Sequence, residues 1–332
     1  MAIEMTRRRM LQAGLGAASM LLYPSLGRAE ARYPSKPVVI KVAFPAGGPA
    51  DASIRAASVV LQRDLGQNVL ADNQPGANGS ICTMTVLRSP VDGYTLLGTT
   101  GIDFLVAPLG VPSAKYRPDA FKLLGLTGMS DFILVSNPSL PFRNVDEVVA
   151  FAKNPKNRKL SIAHWGPGSS PHLVGGDFQA RTGIELLEVP YKGAAPVSND
   201  ISGSQVDLTF IPMGGPTLGM IKTGRFKPIG VASKQRNTSL PNVPTLSESQ
   251  YLKGFEHSQW VGVLAPPNTP DALVARLNEA MNVWIRSEEN RVRIETNLQR
   301  TLEPMTVAQA QGFLKTEYDK FNGIARNLKL GA

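Results

Sequence analysis

The stretch VAFPAGGPADASIR, residues 42–55, carries residue types that can hold an anion without a basic side chain. Pro45 ends the apolar run before it, and Gly47 and Gly48 strip side chains from the turn. Pro49 suits the first turn of a helix, where its missing N–H would have had no intrahelical partner. Backbone N–H groups then point out of the strand end, where a carboxylate or phosphate can accept them. Asp51 has three open roles: capping the helix, accepting a donor on a solute, or pairing with Arg55 one turn later.

A related junction lies at HWGPGSSPH, residues 164–172, where a short apolar strand meets Gly166, Pro167 and Gly168, with Ser169 or Ser170 at an N-cap ahead of Pro171. Facing each other across a cleft, the two junctions would grip both ends of a diacid or converge on one carboxylate. Each alone is equally an ordinary tight turn. DNQPGANGSI, residues 72–81, supplies a third turn whose backbone can meet the first, with Ser80 heading the next helix. Catalytic signatures are missing: there is no GxSxG, no GxxxxGK[ST] and no HExxH. His164 with Ser169 or Ser170 would give a base and a nucleophile, but no orienting carboxylate is identifiable, so a periplasmic hydrolase is a remote alternative.

Such turns need strands that end at them. Strands are predicted at 38–44, 68–71, 94–98, 132–136, 160–164, 186–189, 206–210 and 228–232. Helices are predicted near 50–65, 80–88, 144–153, 171–182, 194–203 and 214–223. The alternation predicts mostly parallel sheets covered by helices. Towards the end, Leu273, Leu277, Met281 and Trp284 or Ile285 recur on one face after Pro270 and Asp271, which predicts a long amphipathic helix, followed by helices near 288–298 and 306–326.

The first residues read as an export signal rather than as part of this fold. TRRRMLQ at 6–12 precedes AGLGAASMLLYPSLGRAEA, a weakly apolar segment ending in small residues, and the arginines resemble a twin-arginine motif. Cleavage is expected after Ala29. Loss of residues 1–29 removes four arginines and one glutamate, lowering the formal charge from +9 to +6. The remaining charges form no basic stripe, which argues against nucleic acid as a partner. No later stretch is long and apolar enough for stable membrane insertion. Cys82 is the only cysteine, which excludes an intramolecular disulfide and reads as a small buried residue. His164, His172 and His257 lack a zinc-ligand spacing, so neither a metal nor a cofactor is expected.

In order and spacing, YPSKPVVIKVAFPAGGPADASIRAASVVLQRDLGQNVLADNQPGANGSI, SPVDGYTLL, NPSLPFRNVDEVVAFAK, GSSPHL, VPYKGAAPVSNDISGSQVDL, LPNVPTLSE and WVGVLAPPNTPDALVARLNEAM resemble the periplasmic solute-binding receptors of tripartite tricarboxylate transporters. The resemblance covers roughly residues 33–328. It implies an α/β, two-lobed periplasmic binding protein of type II-like build, each lobe a mostly parallel sheet flanked by helices, joined by a hinge. Lobe one would hold 30–131 plus 256–332, and lobe two 132–255, with hinge crossings near 131–135 and 258–262. It further implies a periplasmic, non-enzymatic, monomeric receptor that closes on a small carboxylate and passes it to inner-membrane permease subunits. A ligand-sensing receptor for a membrane kinase is the alternative partner reading.

Carried over residue by residue, Phe44, Ala46, Gly47, Gly48 and Asp51 match the family's first solute-holding loop, and Asn78 and Gly79 its second turn. Gly168, Ser169, Ser170 and His172 match the lobe-two junction, and Tyr191 lies in a signature near the cleft. Asp207 reads as architectural. The chain departs from the family where it places Pro49 and Ala50 before Asp51, and Trp165 where a small residue is common. Trp165, with Phe44, Phe104 and Phe210 near strand ends, favours an aromatic mono- or dicarboxylate, with citrate or an aliphatic dicarboxylate as the alternative.

Overall fold

The computed structural model describes residues 33–297 and 299–328. The export signal expected at residues 1–29 lies outside the described residues. Among the described residues nine strands run as β1 Val38–Val42, β2 Val69–Asn73, β3 Thr95–Thr100, β4 Lys122–Ser136, β5 Ser161–His164, β6 Leu187–Pro190, β7 Leu208–Pro212, β8 Lys227–Val231 and β9 Ser258–Ala265. Among the described residues ten α-helices accompany them. They are α1 Pro49–Leu65, α2 Ser80–Leu87, α3 Gly101–Gly110, α4 Val145–Lys153, α5 Ser170–Thr182, α6 Ala194–Ser202, α7 Gly215–Lys222, α8 Asp271–Arg286, α9 Glu288–Asn297 and α10 Val307–Asn327.

Strand order is β2-β1-β3-β9-β4-β7-β5-β6, with β8 also on β4. One sheet joins β2, β1, β3, β9 and the first part of β4; the other joins the end of β4 to β7, β8, β5 and β6. The partner change falls between Asp131, opposite Ser258, and Phe132, opposite Pro212. The two sheets are mixed rather than mostly parallel. β1 pairs parallel with β2 and β3, and β5 with β6 and β7, because a helix returns the chain to the same end of the sheet each time. β4 and β9 run against their neighbours.

Three elements exceed the sequence expectation: α3, the first part of β4, and β9. In β4 the apolar pattern is broken by Gly125 and Gly128, where the ladder with β9 shifts register. Gly125 is needed for packing, since a Cβ there would lie 2.7 Å from the Met281 Cβ on α8. The expected amphipathic helix is α8, which buries Leu277, Met281, Trp284 and Ile285. Cys82 is fully buried on α2, and burial pushes its thiol up to about 12. Among the described residues no helix is long and apolar enough to cross a membrane.

Candidate functional site

The loop between β1 and α1 is held by Asp51. Gly48 is the N-cap and lends no side chain, while Asp51, in the first turn, reaches back to accept the Gly47 N–H at 2.9 Å. Its carboxylate also accepts from Arg55 Nε at 2.9 Å and Asn73 Nδ2 at 2.9 Å, and Asn73 Nδ2 donates to the Phe44 carbonyl as well. Of the three roles open to Asp51, pairing with Arg55 is the one observed, together with bracing the loop. Asp51 is 3% exposed. Burial opposes its ionisation, but the donors from Arg55, Gly47 and Asn73 prevail and hold the carboxyl below its ordinary range. Gly47 has φ +79°, in the left-handed region that favours glycine. Ala46 and Gly47 are exposed, and the Ala46 N–H has no partner among the described residues.

The second turn carries Ala77–Gly79 as a 3-10 turn with Asn78 at φ 52°. Gly79 is buried; a Cβ there would meet Ala43 at 3.0 Å and would lie 3.7 Å from Thr99 Oγ1 and 3.8 Å from the Phe44 ring. Asn78 Nδ2 donates to the Pro167 carbonyl at 3.4 Å, which brings this turn against the glycine-rich loop between β5 and α5.

That loop spends its own amides. Gly166 N donates to His164 Nδ1 at 3.2 Å and Gly168 N to His172 Nδ1 at 3.0 Å. Ser169 N and Ser169 Oγ both donate to the Gly166 carbonyl, and Ser170 N donates to Asp103 Oδ1 at 3.2 Å. The expected open row of backbone donors is therefore reduced to the Ala46 N–H at the first junction, where Gly47 N donates to Asp51 and Gly48 N to the Pro45 carbonyl, and is already partnered at the second. The Ser170 hydroxyl makes only a 3.5 Å contact from Gln259 Nε2, which leaves its proton unassigned.

His164 and His172 stack with ring centroids 4.5 Å apart, and His172 Nε2 lies 3.4 Å from Glu188. Sequence spacing did not reveal this pairing. The two rings and Glu188 place possible ligand atoms within 4.8 Å of one another. Both Nδ1 atoms accept N–H groups, so a ring in its neutral form carries its proton on Nε2, and in His172 that nitrogen lies beside Glu188. An N-bound metal also lies near the plane of each ring, which stacked rings disfavour. The arrangement is that of a brace for the glycine loop.

The aromatic candidates divide. Phe104 is 1% exposed and stacks on Tyr116 at 5.5 Å, and Phe210 is fully buried against Phe178 at 5.6 Å, so both rings belong to the core. Trp165 is half-buried and packs on the apolar core beneath the second sheet, alongside Val189 and Tyr191. Tyr191 donates to Asp200 at 2.7 Å, and burial with that carboxylate raises its hydroxyl to about 12. Phe44 is partly exposed next to the first loop. Asp207 accepts from both Arg158 terminal nitrogens at 2.6 and 2.7 Å and from Ser161, which ties β5 to β7.

Two residues went unnoticed in the sequence. Asp103 on α3 accepts from Thr100 Oγ1 and Gln259 Nε2, each at 2.8 Å, besides Ser170 N. The available signal was one acid inside the otherwise apolar GIDFLVAPLG. Gln259, at the start of β9, gave none.

The model of the family described as "Tripartite tricarboxylate transporter family receptor" matches residues 54–329. A protein of Pseudomonas sp. (strain P51), "UPF0065 protein in tcbD-tcbE intergenic region", is 36% identical over 286 residues, 85% of this chain and 83% of that protein. Among solved structures, "Structure of periplasmic binding protein BugD" is 30% identical, covers 90% of this chain and 99% of its own, and superposes with a TM-score of 0.75. "R. palustris Rpa4515 with adipate" is 26% identical, covers 89% and 97%, and has a TM-score of 0.75.

Proposed function

Because the chain belongs to the receptor family of the tripartite tricarboxylate transporters and is a periplasmic solute-binding receptor rather than an enzyme, we propose that it closes on a small aliphatic carboxylate between its two sheets. The observation that carries the reading is the meeting of Asn78 with Pro167, which sets the exposed first loop and second turn beside Gly168, Ser169 and Ser170. In this reading the Ala46 N–H, with Gly47, Gly48 and Gly79 shaping the turns, and the Ser170 hydroxyl receive carboxylate oxygens. Asp51, Asn78 and His172 hold those groups in place. The solute then passes to the inner-membrane permease.

The aliphatic class replaces the aromatic expectation for two reasons. Phe104, Phe210 and most of Trp165 are occupied in packing, and the related Rpa4515 is described with adipate. The lobes are taken as 30–131 plus 256–332 and 132–255, hinged where β4 changes partner, with a single copy as the working unit. Thermal-shift and calorimetric titration of the mature protein, stripped of co-purified solute, against C4 to C6 diacids, citrate, benzoate and phthalates test the reading. A hit among the aliphatic acids is expected; hits confined to the aromatic acids would restore the aromatic class.

A further inference from the structure

Arg293 is a half-buried cation without an anion. It lies on α9, where burial disfavours its charged form and no carboxylate opposes that effect. Among the described residues its acceptors are all neutral: Nη1 donates to the Thr127 carbonyl at 3.3 Å and to Gln299 Oε1 at 2.5 Å. The acids of its own helix are spent elsewhere, Glu288 and Glu295 on Arg291 and Glu289 on Arg63. Carbonyl oxygens solvate a cation but do not cancel it, and a charge drawn out of water without a counter-charge is costly.

The two bonds on Nη1 fix the guanidinium and leave one edge free. Nε and Nη2 have no acceptor among the described residues, and neither is sealed from solvent. That edge presents two N–H groups side by side, matched to two oxygens of a carboxylate or a phosphate. Gly128 on β4 keeps side-chain atoms out of the way: a Cβ there would lie 3.1 Å from both Arg293 Nη1 and Ser53 Oγ, and 3.3 Å from Gln299 Oε1. The cluster adjoins the groups assigned to the carboxylate. Gln299 Nε2 donates to Ser130 Oγ at 3.2 Å, Ser130 stands opposite Gln259 on β9, and Gln259 Nε2 lies 3.5 Å from Ser170 Oγ. At the end of the same helix, a Cβ on Gly215 would lie 3.3 Å from Asn297 Oδ1, which sets α9 against the start of α7.

We propose that Arg293 is a seat for one oxyanion, a carboxylate or a phosphate held side-on by Nε and Nη2. Two sources carry that chemistry: the second carboxylate of a solute whose first is held by Ala46 and Ser170, and free inorganic phosphate. The first source rests on the reading that the cleft takes a carboxylate, whereas the second stands without it. Either ion supplies the missing counter-charge beside the strand that both sheets share.

The test is calorimetric titration of the stripped mature protein, in chloride buffer, with inorganic phosphate and with acids matched in chain length: adipate against hexanoate, and succinate against butyrate. Saturable phosphate binding that is lost in Arg293→Gln assigns the free ion. A preference of about tenfold or more for the diacid, the scale of a charge-assisted contact, that shrinks to within about twofold in Arg293→Gln assigns the second carboxylate. If Arg293→Gln does not fold, Arg293→Lys, which keeps the charge and loses the fork, must weaken the same ligand by about threefold or more. The seat is overturned when the wild-type protein binds no phosphate and does not distinguish the acids of a pair, or when a folded variant leaves phosphate binding and the diacid preference intact. Phosphate binding that depends on Arg293, with every acid failing to bind, overturns the carboxylate reading alone. Failure of phosphate and acids together overturns both.

Discussion

Asn78 and Pro167 touch across 3.4 Å, side-chain amide to backbone carbonyl, although 89 positions separate them in the chain. The contact joins a turn that follows the first sheet's β2 to a loop that follows the second sheet's β5. Its length marks it as a weak bond, suited to a contact that must open again.

Asn78→Ala is expected to weaken solute binding by about two- to fivefold, the value of one neutral hydrogen bond, with no change in melting temperature. Small-angle scattering should show a larger mean radius for the unliganded variant. Unchanged affinity and radius would make the contact incidental to closure.

Asp51 holds the first loop, so its removal should act on stability and binding together. Asp51→Ala is expected to cost about 1–3 kcal/mol, because the Gly47 N–H and the Asn73 amide lose a buried acceptor. Asp51→Asn keeps an acceptor and should retain most of the binding. A chemical denaturation series read beside titrations separates the two effects; full affinity in the alanine variant would show that the loop needs no brace.

Acidification should loosen the glycine loop. His164 is held below its ordinary value of 6.5, first by burial and then by the stacked His172, with Glu188 opposing. The unfolded chain therefore takes the proton first, so the contribution of His164 is complete above about pH 6.5 and is lost as pH falls through the lower folded-state value. Protonation at Nδ1 also expels the Gly166 N–H. The melting temperature is expected to drop between about pH 7 and pH 5. His164→Gln should flatten part of that slope, the buried His257, also lowered by burial, keeping the remainder. Loss of stability confined to pH below about 4 would point to the lowered carboxyls of Asp51 and Asp207 instead.

Trp165→Ala addresses the aromatic question directly. Since the ring packs on the second sheet's core with Val189 and Tyr191, the expected result is a stability loss of about 1–3 kcal/mol and similar affinity changes for benzoate and for adipate. A selective loss of benzoate binding would return the ring to the solute.

The strand ends at the candidate site were legible because proline and glycine punctuate them: Pro45 with Gly47, and Gly166 with Gly168, stand where β1 and β5 stop. The helices after them were legible from Pro49 and Pro171 in their first turns. What was not legible depends on approach from elsewhere in the chain. The glycines of β4 resemble breaks in a strand until Met281 is seen against Gly125, and α3 is obscured by the internal Pro108. The partners of the second loop's amides, His164, His172 and Asp103, come from a strand end, a helix and the opposite sheet's helix. No local pattern announces such a meeting. Trp165 was ambiguous because aromatic character at a loop suits packing and stacking equally, and its packing beside Val189 and Tyr191 depends on residues far along the chain.

β4 is one unbroken strand of 15 residues that serves both sheets. A flexible linker would let two bodies wander independently; a shared strand behaves as a torsion spring, stiff along its length and compliant in twist. The proposed closure would then be a rotation of limited range with few backbone bonds exchanged. In the proposed closure the range of that rotation is set by the compliance of β4, the strand that both sheets share.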